Sequence, residues 1–371
     1  MKDRILHVAD LHLGAPHSYL GPKAAARRTE ADLVFHRITE HVLASERIGG
    51  VLIAGDLFDH YAPPTAVVES VLTDLARLRA AGIRTLTVPG NHDEYSYPHC
   101  IYRERETTWP DTLVTRPTPG LVDTWNLDGV LVDLYAMAYV AGRSRPPFDD
   151  FEVEPGPAVK IAVLHGSLDI ARSDRSLPLS RAKLERLGLD YVALGHLHQP
   201  RETRLGRGWI AYPGRIEGDG FSDPGGSGLL ELTVGKDGIA PQRVPFSSRP
   251  VETVSWNLAT FASETEMDER LEREARRDPG RILRVETTGL AGFSWRKEAI
   301  EARWRDRFYH FEMRSHAQPA LDLDRLASEP TVRGEFVRVA RTHIANAASP
   351  QERACAEAAL REGLAAFGTG A

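Results

Sequence analysis

One juxtaposition constrains this sequence most: short apolar runs of strand length end directly in Asp, Asn or His, with glycine close by. Ile5–Ala9 leads into Asp10 and His12, Val51–Ala54 into Asp56 and Asp59, and Arg84–Val88 into Asn91, His92 and Asp93. Ile161–Leu164 then leads into His165, and Tyr191–Leu194 into His196 and His198. In layered α/β folds, loops at the carboxyl ends of strands carry the chemistry, so these endings predict one polar cluster along one sheet edge. Glycine beside the polar residues, as in Gly55-Asp56, Gly90-Asn91 and Gly195-His196, lets the backbone turn tightly there. Histidines inside strand or helix patterns, namely His7, His36, His41, His310 and His343, are read as packed side chains instead.

The stretches between these runs complete an α/β pattern. Glu30–Glu46 and Ala66–Ala80 carry apolar residues at helical spacing and are predicted to be crossover helices, and Val130–Tyr135 is a further strand. Trp209–Pro245 has strand runs, glycine-rich turns and no helical pattern, which predicts the completion of a second sheet. A Pro/Ser-rich stretch from Pro245 to Pro250 then interrupts the pattern, and the charge mixture becomes denser. The predicted division is a core over 1–248, a smaller α/β module over 249–318 and a helical region over 319–371. The module has strands at Thr253–Trp256, Ile282–Thr287 and Phe308–Met313, with helices at Glu264–Arg276 and Trp295–Arg303. The helical region has Val332–Asn346 and Pro350–Phe367; Ser349, Pro350 and Glu352 form a start signal for the second helix and Gly368 a stop.

The chain has 371 residues, enough for roughly two to three domains. Its formal net charge of −6 excludes a globally basic surface, so nucleic-acid binding would need a local patch or metal ions. Cys100 and Cys355 are too few and too far apart for a disulfide framework or a thiolate site. No run approaches the roughly 18 apolar residues of a membrane span, and the expected location is the cytoplasm, without a membrane partner.

The strand-end residues mix carboxylate oxygen, amide oxygen and imidazole nitrogen without sulfur, a donor set suited to Mn²⁺, Fe or Zn²⁺. Asp10, His12, Asp56, Asn91, His165, His196 and His198 exceed the needs of one ion. Two divalent ions about 3.5–4 Å apart, sharing a carboxylate, would use them and would suit phosphoryl-oxygen displacement.

The runs Asp10-Leu11-His12-Leu13-Gly14, Gly55-Asp56-Leu57-Phe58-Asp59, Pro89-Gly90-Asn91-His92-Asp93 and Gly195-His196-Leu197-His198, in this order, resemble the calcineurin-like metallophosphoesterase superfamily. Within it the first two are most similar to the Mre11/SbcD-type branch, nucleases of DNA double-strand-break repair, and the resemblance covers about residues 4–235. It implies a four-layer α-β-β-α core with a smaller α/β capping domain and C-terminal helices. It implies one metal on Asp10, His12 and His198, another on Asn91, His165 and His196, with Asp56 bridging and Mn²⁺ the favoured ion. A hydroxide activated by the two metals would hydrolyse a phosphodiester of DNA, His92 would protonate or stabilise the leaving oxygen, and Asp59 would orient and charge His92. His60 resembles, one residue out of place, a histidine that positions DNA. Tyr212-Pro213-Gly214-Arg215 resembles a Tyr-Pro-Gly-Ser element with arginine in place of serine, so Arg215 either meets a phosphate or caps the fold. The implied protein partner is an SbcC/Rad50-like coiled-coil ATPase docked on the terminal helices, with Leu360, Leu364 and Phe367 as the candidate stripe; pairing of two chains is left open. Two alternatives stand beside this reading: a phosphoesterase for a cyclic nucleotide or other small phosphoester, and a metal-stabilised scaffold without catalysis.

Overall fold

The computed structural model describes residues 2–144, 151–170, 176–289, 291, 293–315 and 323–367. It divides into two compact units, Met1–Glu252 with Gly280–Leu283, and Thr253–Pro279 with Arg284–Ala371.

The strands of the first unit are β1 (Arg4–Val8), β2 (Ile48–Ala54), β3 (Arg84–Val88), β4 (Thr112–Leu113), β5 (Gly120–Leu127), β6 (Val130–Ala136), β7 (Val159–Leu168), β8 (Leu177–Leu179), β9 (Tyr191–Gly195), β10 (Arg201–Leu205), β11 (Gly208–Tyr212), β12 (Glu217–Gly220), β13 (Asp223–Gly225), β14 (Gly228–Gly235) and β15 (Gly238–Pro245). Its helices are α1 (Ala24–Asp32), α2 (Val34–Ala44), α3 (Thr65–Ala80), α4 (Ile101–Arg105) and α5 (Arg181–Glu185). One sheet runs β15-β14-β1-β2-β3-β4, the other β10-β11-β9-β7-β6-β5 with β8 beside β7, and β12 pairs β13 as a separate hairpin.

Side-chain alternation along the strands builds the layers. Ile5, Leu52, Ala54, Leu86 and Val88 of the first sheet meet Trp125, Val132, Leu134, Ile161, Val163 and Ala193 of the second in a shared core. The opposite faces, Leu6, Val8, Val51 and Ile53, pack under Val34, Phe35, Ile38 and Val42 of α2 and Val68, Val71, Leu75 and Leu78 of α3. Beyond the second sheet, Ala162, Leu164, Val192 and Leu194 pack with Leu184 and Leu189. Strands covered on both faces need apolar residues throughout, which is why these runs read as nearly continuous hydrophobic segments. The result is the four-layer α-β-β-α arrangement.

Two sequence expectations are corrected. The helix expected over Glu30–Glu46 is two helices, α1 and α2, separated at Leu33. The second buries Val34, Phe35, Ile38 and Val42, whereas Leu33 is 48% exposed and lies off that stripe. Trp209–Pro245 does not complete the second sheet alone: β11 does so, but β14 crosses to the first sheet and pairs β1 antiparallel, with β15 outside it. There Leu230, Leu232 and Val234 join the core between the sheets, which accounts for the crossing.

The second unit contains the three-stranded sheet β16 (Val251–Asn257), β17 (Ile282–Thr288) and β18 (His310–Ser315), whose first and middle strands begin in the first unit, together with α6 (Glu264–Arg277) and α7 (Lys297–Trp304). Trp304 Nε1 donates to Asp268 Oδ1 at 2.6 Å and ties α7 to α6. Helices α8 (Leu323–Ser328), α9 (Val332–Ala345) and α10 (Pro350–Ala366) follow. At the start of α10 the Glu352 N–H donates to Ser349 Oγ at 3.1 Å, and the Glu352 carboxylate accepts from the Ala348 N–H at 2.8 Å. Leu360 and Leu364 are buried with Leu326 and Val337, so the stripe expected to meet a partner is consumed by α8 and α9. Phe367, beside Phe336, is 43% exposed. The boundary expected at 318/319 and the stop at Gly368 lie outside the described residues. Among the described residues no helix is long and apolar enough to cross a membrane.

Trp125 is the largest side chain held between the two sheets, and its ring occupies the space a side chain at Gly50 would need, 2.2 Å from a Cβ built there. Trp125→Ala is expected to destabilise the first unit by about 3–5 kcal/mol, read as a lower urea midpoint at unchanged slope.

Candidate metal centre

The strands β1, β2 and β3 are parallel in one sheet, and β7 and β9 are parallel in the other. Their carboxyl ends bring all seven expected ligands together. The loops are laced backbone to backbone: the Asp10 N–H donates to Gly55 O and the His12 N–H to Asp56 O, each at 3.1 Å. Asp10, His12, Asp56 and His196 adopt φ of 55°, 47°, 50° and 102°, a region that L-residues enter at a cost. Among the described residues, His17, Asp128 and Asp169 are the other non-glycine positions with such backbone. Close approach explains two glycines: a Cβ at Gly90 would lie 2.2 Å from Asp56 Oδ1, and one at Gly55 2.1 Å from His165 Nδ1.

The donor geometry fits two cations. Asp10, His12 and His198 form one group of converging ligand atoms, and Asp10, Asp56 and His165 another. His12 Nε2 lies 3.1 Å from His198 Nε2. The Nδ1 atoms of both rings face carboxylates, Asp59 Oδ1 at 3.1 Å and Asp223 Oδ2 at 2.7 Å. With a proton on each Nδ1, the two Nε2 atoms face each other, an arrangement that a cation between them, or a proton on one Nε2, would satisfy. Two nitrogens bound about 2.0–2.1 Å from one ion are themselves roughly 3.0–3.4 Å apart, as here. On the other side, Asn91 Oδ1 lies 2.8 Å from His196 Nδ1 and 3.0 Å from His165 Nε2. Asp56 Oδ2 sits between the two groups, 3.3 Å from His165 Nε2 and 3.8 Å from His12 Nε2, as a bridging oxygen must. These residues would hold one ion on Asp10, His12 and His198, the second on Asn91, His165 and His196, and share Asp56.

Burial pushes the Asp10 carboxyl up to about 6 and the imidazoles of His12 and His196 down to about 4, leaving both rings neutral and able to bind a metal. Burial works to lower His165 as well, but the adjacent Asp56 carboxylate outweighs it and raises His165 to about 9. Burial works to raise Asp56, and the charge and hydrogen bond of His165 outweigh it and hold Asp56 well below the usual carboxylate range.

One site expectation changes, and one open alternative, at Arg215, falls on its structural side. The Asp59 carboxylate does not meet His92: it bonds His12 Nδ1, while His92 Nδ1 donates to the Asp59 backbone carbonyl at 3.1 Å. The Asp59 N–H is committed to Leu13 O at 3.0 Å, which turns the side chain toward the His12 loop. Arg215 is 3% exposed, with Nε donating to Glu217 O and Nη1 to Asp223 Oδ2, both at 2.9 Å; it lies beneath the ligands and not on a phosphate-accessible surface. His92 is exposed, its N–H donates to Asp56 Oδ1 at 2.8 Å, and one ring nitrogen lies within 4.8 Å of ligand atoms of His12 and Asp56. His60 is exposed, accepts from the Ala62 N–H at 3.1 Å and leans on Tyr61 with ring centroids 4.1 Å apart. Two residues with no role assigned from sequence are structural to the site. Asp93 braces its loop by accepting from the N–H groups of Gly90 and Phe58 and from the Tyr102 hydroxyl, at 2.7, 3.0 and 2.7 Å. Asp223 is the other. Asp93 sits inside a motif that could have flagged it, whereas nothing near Asp223 does.

The calcineurin-like phosphoesterase model matches residues 3–200, which contain every ligand named above. The chain belongs to the calcineurin-like phosphoesterase family. Among curated relatives, the DNA double-strand break repair protein Mre11 of Methanopyrus kandleri is 26% identical over 92% of this chain and 79% of its own length. The protein of that name from Haloferax volcanii is 29% identical over 69% of this chain and 55% of its own. An uncharacterized metallophosphoesterase of Bacillus subtilis, YhaO, is 26% identical over 62% of this chain and 57% of its own. The chain thus spans little more than half of the latter two.

His165 must shed a proton before it can bind a metal. Because its affinity for that proton is raised to about 9, metal binding at neutral pH is expected to release about one proton per chain from this residue. Calorimetry of Mn²⁺ binding in buffers of different ionisation enthalpy measures this, and affinity should climb with pH until His165 is deprotonated; absence of proton release near neutrality would contradict it.

Proposed function

We propose that this phosphoesterase hydrolyses DNA phosphodiesters with two divalent ions, Mn²⁺ favoured, as the nuclease subunit of a DNA-repair assembly. The observation that carries the hydrolytic part is the convergence of seven ligand side chains with an exposed histidine, His92, beside Asp56. The DNA part rests on similarity to the Methanopyrus kandleri Mre11 protein, which extends over 92% of the chain and so beyond the phosphoesterase match.

When bound, the two ions would supply an acidified water and neutralise charge on the phosphoryl oxygens. Asp56 holds the two ligand groups in register. His92 keeps its Nδ1 proton on the Asp59 carbonyl, which leaves Nε2 to face the leaving oxygen and, once protonated, to donate to it. A neutral carbonyl orients the ring without the charge a carboxylate would have provided, so His92 works as an aimed donor and not as half of an Asp–His pair. Asp59 acts instead through His12, as the outer partner that fixes a ligand.

We assign residues 249–318 to a capping module and 319–371 to a docking region for an SbcC/Rad50-like ATPase. With Leu360 and Leu364 buried, the apolar residues left on α9 are Val332 and Val339, 77% and 48% exposed and two helical turns apart.

His92→Gln is expected to lower Mn²⁺-dependent cleavage of linear and single-stranded DNA by about 10²–10⁴-fold while both metals remain bound. Assayed beside these, a cyclic dinucleotide and an aryl phosphodiester separate DNA specificity from general phosphoesterase activity; selective turnover of a small phosphoester would displace the DNA reading, and full activity of His92→Gln would remove the acid role. For the docking assignment, Val339→Asp should abolish co-purification with a co-expressed coiled-coil ATPase and leave cleavage of the aryl phosphodiester intact. Undiminished co-purification places the ATPase elsewhere.

A further inference from the structure

Three of the histidines that would hold the metals show what stands behind them. His165 turns its Nδ1 to a neutral backbone carbonyl, Ala54 O, at 3.0 Å. Both histidines of the other position are backed by carboxylates, His12 by Asp59 and His198 by Asp223. Asp223 comes from β13, outside every strand that carries a ligand, and is itself held: Arg215 Nη1 bonds the same Oδ2 that meets His198.

Arg215 is anchored in turn. Its backbone N–H donates to His198 O at 2.9 Å, and its Nε donates to Glu217 O at 2.9 Å at the start of the hairpin that carries Asp223. The hairpin is pinned to the helical layer by the Glu217 carboxylate, which accepts from Arg27 Nη2 at 2.7 Å, from Arg37, and from the Ser248 N–H at 2.9 Å. Gly214, at φ 79°, permits the crossing behind His198, because a Cβ there would sit 2.7 Å from His198 O.

We propose that Arg215 and Asp223 are positioning residues that fix His198 for its metal. The inference rests on the two-metal reading and is independent of the substrate. A carboxylate accepting from Nδ1–H selects the tautomer whose Nε2 is a bare donor and increases its basicity toward a metal, an effect usually of 10–100-fold in affinity. Arginine remains charged in the interior, so a guanidinium this close to a dication is tolerable only with an anion between them. Asp223 is that anion. Arginine in place of the serine of the resembling element therefore brings its own counter-charge and uses it to orient a ligand.

The test is titration of the metal-free full chain with Mn²⁺ alone, followed by calorimetry and by the electron-spin signal of free Mn²⁺. The wild type should bind two Mn²⁺, each read as a step. Asp223→Asn should weaken one step about 10–100-fold and leave the other within about twofold. Arg215→Lys keeps the buried charge but cannot reach both Glu217 O and Asp223, and should weaken the same step less; it carries the comparison if Asp223→Asn does not fold. Equal loss at both steps in the variants, or no loss at either, would overturn the proposal. A single Mn²⁺ per wild-type chain would instead remove the two-metal reading beneath it.

Discussion

The carboxylate of Asp56 is where the two sheets are joined at the working edge. It leaves β2 in one sheet, receives the His92 N–H from the loop after β3, and meets His165 from β7 in the other sheet. Gly90 must be glycine for the third loop to approach it, and Gly55 must be glycine for His165 to lie beside it. The four layers supply rigidity behind this point, since a core shared by both sheets keeps their strand ends at constant separation. Without that shared core the side chains from the two sheets would have no common frame.

How much of this was legible in the sequence follows from how local each signal is. The strand-end cluster of seven expected ligands was legible because each of its residues lies within four residues of a strand end, where an apolar run and a glycine declare the geometry. Strand β3 could be read to its last residue for the same reason. Contacts chosen by loop direction were not legible: Asp59 follows Asp56 by three residues, yet only the commitment of its N–H to Leu13 sends the carboxylate to His12 and not to His92. Asp223 lies 25 residues beyond His198 in a hairpin rich in glycine and acids, and no periodicity distinguishes it from a solvated turn.

The same distinction applies to the fold. Amphipathic spacing located α2 and α3 because their stripes face one sheet. It could not show that the first helix breaks at Leu33, or that β14 returns to the first sheet, because both depend on which of two surfaces has an uncovered edge. The terminal stripe of Leu360 and Leu364 illustrates a further limit, since an apolar helical face has the same pattern whether it meets another protein or its own neighbours.

The left-handed backbone at Asp10, His12, Asp56 and His196 has a consequence for how such a chain can change over time. Each position holds a side-chain-bearing residue where glycine would be easier, at a cost on the order of 1–3 kcal/mol. Replacing any one by glycine would relax the backbone and delete a donor of the proposed metal centre in a single step. The easiest route to a sturdier apo-protein therefore runs through the loss of the proposed chemistry.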